Sequence, residues 1–255
     1  MRRARGGAAW CGLLLLASCA AGNHAPPFAN VPYEPFSRSA AVAVALREWR
    51  LWGGGVEQPG SPPYVQSEAT MAERQQGLWQ RVGEYWWEGM NADEPDSRWT
   101  GKHDASGKIF PVAANGNYAW SAAFISYVMR IAGAGPDFPY APDHATYINE
   151  AARPYHPGKL LVAENPATYA PRLGDLVCFP RGGARHLTFA DLPAAASFPA
   201  HCGIVTSTAA GEIDLIGGNV EDAVMMEPVA VDARGLIADQ NENWFVVLRV
   251  LYAVN

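Results

Sequence analysis

An α+β domain is predicted for this chain by three observations. Apolar residues recur at helical spacing from about residue 37 to residue 152. Beyond that the period shortens to that of strands, at 174–180, 201–207, 211–217, 224–231 and 244–252. Helices first and antiparallel strands later is the order of an α+β domain, here with a sheet of about five strands. The third observation is composition: of 255 residues, 49% are hydrophobic and 17% charged, enough for a sizeable core in one domain with extras or in two small ones.

The N-terminus reads as a processing signal over 1–18. Arg2, Arg3 and Arg5 form a positive region, and Leu13–Leu16 centre an apolar run too short for a spanning helix. The ending Leu16-Ala17-Ser18-Cys19 resembles a bacterial lipobox, which implies export and a lipid anchor on Cys19. The plainer reading is an ordinary signal peptide that contains a cysteine. Ala20 after the cysteine favours the periplasmic face of the outer membrane. Loss of the three signal arginines lowers the formal net charge from −6 to −9. So acidic a protein is a poor partner for nucleic acid. Residues 19–36 carry four prolines and little periodicity, and form a tether.

An N-terminal helix and loop occupy 37–66. Ala41, Ala45, Trp49 and Trp52 fall near one helical face, and Gly53-Gly54-Gly55 ends it. The main domain is 67–255. It opens on a predicted helix from about Ser67 to Met90, with Thr70 and Glu73 as a capping box and Met71, Leu78, Val82, Tyr85, Trp86 and Met90 as a core stripe. A polar stretch at 91–117 holds Trp99, a weak candidate for substrate contact. A third helix covers Ser121 to Ile131, stopped by Gly133 and Gly135, and a short one lies near Asp143 to Ala152. Cys178 and Cys202 sit in apolar strand-like runs. Either they form a disulfide closing a loop of about 25 residues, worth ~3 kcal/mol, or they pack as reduced core thiols.

Three residues are candidates for chemistry. Ser121 opens a helix, beside unpaired backbone N–H groups and the positive end of the helix dipole. That place suits a nucleophile and an oxyanion, and equally a simple N-cap. His201 begins an apolar strand. Alternation places Cys202 on the opposite face, so these two neighbours cannot be partners; if His201 faces Ser121, Cys202 faces away toward Cys178. Asn219 follows two glycines, where it would orient an imidazole or merely make a turn. Asp175 reads as a structural turn residue. The six histidines show no metal-binding spacing and no phosphate-cradling glycine loop is present, so neither metal nor cofactor is expected.

The segments YAWSAAFISYVMR, HATYI, GDLVCFPR, HCGIV and IGGNV, in that order over about 115–225, resemble a bacterial family of unknown function, number 2272 among domains so labelled. That family is similar to the NlpC-type and CHAP peptidase-amidase superfamily. The resemblance implies a papain-like fold and cleavage of amide or peptide bonds in peptidoglycan. It assigns Ser121 to the nucleophile position, held by cysteine in the superfamily, His201 to the base and Asn219 to the orienting position. Trp120 and His144, within the matching segments, are weaker candidates for substrate contact. A serine hydroxyl is far less acidic than a thiol, so the imidazole must take its proton during attack. Three expectations follow: a serine hydrolase acting on peptidoglycan or a muropeptide, a binding module that kept the groove without the chemistry, or a lipoprotein that binds another envelope protein.

Overall fold

The computed structural model describes residues 35–57, 64–91 and 94–253. The signal at 1–18, the lipidation at Cys19 and the tether up to residue 34 lie outside the described residues. Four α-helices are described: α1 (Arg38–Leu51), α2 (Leu78–Gly89), α3 (Ser121–Ile131) and α4 (His144–Ala152). Six strands follow: β1 (Leu161–Glu164), β2 (Leu176–Pro180), β3 (Ala200–Ala209), β4 (Glu212–Val220), β5 (Ala223–Ala230) and β6 (Val246–Val250). They form one open antiparallel sheet in the order β1-β6-β2-β3-β4-β5. The α+β class is as predicted. The extra strand is β1, four residues paired with β6 at the sheet edge, too short to show its own alternation. No described helix is long and apolar enough to cross a membrane.

The helix predicted over Ser67–Met90 is not continuous. A 3-10 turn spans Ala72–Arg74, and Gly77, at φ +89°, breaks the chain before α2 starts at Leu78. A left-handed residue cannot lie inside a right-handed helix, and glycine adopts that conformation at little cost. The Thr70–Glu73 capping box does not form. The Thr70 hydroxyl donates to Val65 O at 2.8 Å, and the Glu73 N–H donates to Asp222 O at 3.1 Å. The apolar stripe is nonetheless core: Met71, Val82, Tyr85, Trp86 and Met90 are buried.

Alternation divides the strands between two faces. Cys178, Cys202, Ile204, Ile216, Val224, Val246 and Leu248 join the main core with the helices. Val177, Val205, Ile213, Leu215, Val229 and Val247 form a smaller core on the other face, with Trp244. Cys178 and Cys202 stand directly opposite in the β2–β3 ladder and are joined by a disulfide. With a sequence separation of 24 residues, the cross-link contributes about 3 kcal/mol in the chain-entropy account. Asp175, fully buried, accepts from Arg172 N, Val250 N and Tyr169 Oη at 3.0, 3.2 and 2.9 Å, so its carboxylate ties the entry of β2 to β6.

The helical layer is locked by a buried polar cluster. Glu48 of α1 is fully buried, and its carboxylate accepts from Arg81 Nε at 2.7 Å and Tyr85 Oη at 2.8 Å, both on α2. Tyr127 Oη of α3 donates to it at 3.3 Å, and Trp52 Nε1 donates to Tyr85 Oη at 2.8 Å. One carboxylate thus joins three helices.

Candidate functional site

Ser121 is the first residue of α3, and Trp120 holds the cap position without a side-chain cap bond. The serine hydroxyl is therefore not spent on capping. Its Oγ lies 2.9 Å from Nε2 of His144, and both residues are buried. The placement of His144 has a local origin. Asp143 caps α4, its carboxylate accepting from Thr146 N at 2.9 Å. Tyr147, three residues on and so on the same helical face, donates to Ala122 O and Ala141 O, each at 2.7 Å, and bonds Ser126. The tyrosine pins α4 to α3 and so holds His144 over the mouth of α3.

The expected pairing of Ser121 with His201 is not the one observed. Gly218 packs toward α3: a Cβ there would meet Phe124 Cβ at 2.5 Å. Gly217, its neighbour, faces the other way, and a Cβ there would meet His201 Nε2 at 2.6 Å. His201 therefore lies on the sheet face away from α3, with Phe179, while Cys202 faces the helical layer. Because His201 is the second residue of β3, the helical layer reaches it at the end of the sheet. The His144 and His201 rings are 5.5 Å apart between centroids. The order in space is Ser121, His144, His201.

Asn219 is neither a plain turn residue nor an observed partner of His201. It sits at a β-bulge in β4, with φ +59°, where the register against β5 shifts between Gly218 and Val220. Asparagine tolerates this left-handed conformation better than most residues. Bulges re-aim side chains near functional sites. Asn219 and His201 line one cavity of about 190 Å³, and neither side chain makes a hydrogen bond to a described residue. Ser121 is not part of that lining.

Burial sets the electrostatics. Desolvation, with the charge of Arg181, pushes the His201 imidazole down to about 3. Desolvation, then His201 and Arg181, hold His144 well below the usual histidine range. Both rings are neutral at pH 7, as a group that accepts a proton from serine must be. Nδ1 of each ring is buried with no hydrogen-bond partner among the described residues.

Two weaker candidates are engaged in packing. Trp120 is 1% exposed; its Nε1 donates to Glu73, and its ring stacks on Trp52 with centroids 5.3 Å apart. It packs beneath the site. Trp99 is wedged edge-on between Trp86 and Tyr118, at 5.0 and 4.8 Å. Its partial burial leaves it a packing residue first. Glu73 was singled out only as a cap, because burial of a carboxylate under a tryptophan leaves no periodic signal in sequence.

Burial raises the Glu73 carboxyl to about 8, against an ordinary value of 4.5. A carboxyl raised on folding stabilises the fold fully below its unfolded pKa and loses that contribution as pH rises through the folded one. The urea midpoint is therefore expected to fall between about pH 4.5 and about pH 8. Glu73→Gln should make that fall shallower; an unchanged slope would assign it to other groups.

Residues 73–250 match the family described as "Uncharacterized protein conserved in bacteria (DUF2272)". The chain belongs to that family. The match takes in α2, α3, α4 and all six strands, and so Ser121, His144, His201 and Asn219, while α1 and Glu57 precede it. No curated protein and no solved structure matches this DUF2272 chain.

Proposed function

We propose that this protein is a serine-dependent hydrolase of the bacterial cell envelope, acting on an amide or peptide bond of peptidoglycan or a muropeptide. In this reading its fold is related to the papain-like NlpC and CHAP superfamily, and it is lipid-anchored at Cys19 on the periplasmic face of the outer membrane. The observation that carries the chemistry is the 2.9 Å contact between Ser121 Oγ and a neutral His144 at a helix N-terminus.

In the proposed reaction Ser121 Oγ attacks the carbonyl carbon and its proton passes to His144 Nε2. The oxyanion forms beside the free N–H groups of the first turn of α3. Collapse breaks the C–N bond, and the imidazolium returns the proton to the leaving amine. Water, deprotonated by the same imidazole, then cleaves the serine ester and restores the hydroxyl. His201 adjoins His144 and, with Asn219, faces the cavity; the superfamily resemblance gives these two the base and orienting roles.

A specific observation supports a second reading, a binding module without catalysis. Neither imidazole has a partner at Nδ1 among the described residues. Serine hydrolases use such a partner to stabilise the imidazolium, and burial disfavours that charge here.

Digestion of purified peptidoglycan by the chain from Ala20, read by mass spectrometry, tests the proposal. His144→Ala is expected to lower product formation at least ~10²-fold. If His201→Ala alone does so, the base is His201 and the ring order changes during turnover. A parent protein that releases nothing yet sediments with insoluble peptidoglycan would establish the binding reading.

A further inference from the structure

The cavity beside His201 gathers acidic and basic side chains that make no ion pair with one another. Glu57, Glu221, Glu227 and Glu242 line it, and so do Arg181 and Arg185. None of these six side chains forms an ion pair or hydrogen bond with another described residue. Burial first, then Glu221 and Glu242, raise the Glu57 carboxyl, and Arg181 pulls it down; burial, then Glu57, Glu242 and Asp239, raise that of Glu227 to about 8, so it holds a proton near pH 7 unless a cation lies beside it. The acids do not converge as cation ligands do: no group of three or more His, Cys, Asp or Glu among the described residues could hold a metal ion.

A second, independent feature marks the same hollow. His201, 4% exposed, forms part of its wall, and its buried Nδ1 has no partner among the described residues. A buried polar atom left unpaired is disfavoured. Charged side chains gathered without pairing are likewise disfavoured unless something else neutralises them. Phe179, Asn219 and Val220 line the rest, and a volume of about 190 Å³ limits the occupant to a small group.

We propose that this cavity binds a small zwitterion or zwitterionic end-group, its ammonium taken by Glu57, Glu227 and Glu242, its carboxylate by Arg181 and Arg185, next to His201. The chemical class is an amino acid or the free end of a short peptide. This deepens the proposed function by naming a recognition site for a peptide-bearing substrate, but binding does not require that Ser121 be active.

The test is titration of the full chain in detergent with D-alanine, L-alanine and alanyl-alanine, followed by calorimetry. N-acetylalanine, which lacks the ammonium, and alaninamide, which lacks the carboxylate, are run beside them. Saturable binding of a free zwitterion is expected, at least ~10-fold weaker for both blocked forms. Glu227→Gln should remove the discrimination against the N-acetyl form, and Arg181→Gln that against the amide. No saturable binding up to millimolar concentration, or equal binding of free and blocked forms, would overturn the proposal. Because the readout is binding, a protein that cuts nothing still answers it, and failure here leaves the hydrolase reading to its own digestion test.

Discussion

Ser121→Ala is expected to reduce release of peptidoglycan fragments by at least ~10³-fold, the scale on which loss of a nucleophile acts. The substitution removes one oxygen from a buried position and leaves His144 Nε2 without its 2.9 Å partner. That unpaired nitrogen costs about 1–3 kcal/mol of stability, so retention of the folded circular dichroism spectrum must accompany the loss of activity. Ser121→Cys is the informative companion. The helix terminus and a nearby imidazole lower a thiol pKa, whereas they cannot ionise a hydroxyl. A parent that is active, with both activity and its loss in Ser121→Ala established, fixes a serine mechanism. A silent parent with an active Ser121→Cys would mean that a complete site is disarmed at one atom. Silence in all three, with folded protein, would remove peptidoglycan as substrate.

The second large effect is structural. Arg81→Met is expected to destabilise the fold by about 3–5 kcal/mol, the usual result of removing one member of a buried ion pair. Glu48 is fully buried and would keep hydroxyl donors from Tyr85 and Tyr127 and, as its remaining ionic partner, the exposed Arg47 at 3.9 Å. For a chain of this size the melting temperature falls about 2–4 °C per kcal/mol. The double variant Glu48→Leu, Arg81→Met removes both charges and should recover most of the loss, since apolar replacement of a whole buried pair is often neutral. A loss under about 1 kcal/mol in Arg81→Met alone would show that the pair is solvated rather than buried.

Comparison of these residues shows what kind of information a sequence holds. α1, α3 and α4 lie within a residue or two of their predicted bounds, because each has a periodic apolar face and a recognisable stop or cap. The longer strands were legible by alternation, and the opposite facing of His201 and Cys202 needed nothing more than the pleat. β1 was missed because four residues are too few for a period. The break before α2 was missed because Gly77 is tolerated inside a helical pattern, and only its left-handed backbone reveals the interruption.

The candidate site divides in the same way. Ser121 at a helix mouth, His201 on a strand and Asn219 beyond two glycines follow from local pattern and motif order. Which imidazole meets Ser121 does not. His144 reaches it because Tyr147 pins α4 to α3 across 25 residues, from its hydroxyl to Ala122 O, and His201 turns away because the sheet presents Cys202 to that side. The mixed-charge cavity likewise gathers Glu57, Arg181, Glu227 and Glu242 from four distant stretches.

By itself the sequence determined the fold class, the helix and strand periods, the motif order and the family, since these depend on neighbours along the chain. Only the tertiary structure decided the partner of Ser121, the burial of Trp120 and Glu48 and the unpaired charges beside His201. Those depend on which faces meet, and long-range contacts between single polar side chains carry no period that a linear pattern can register.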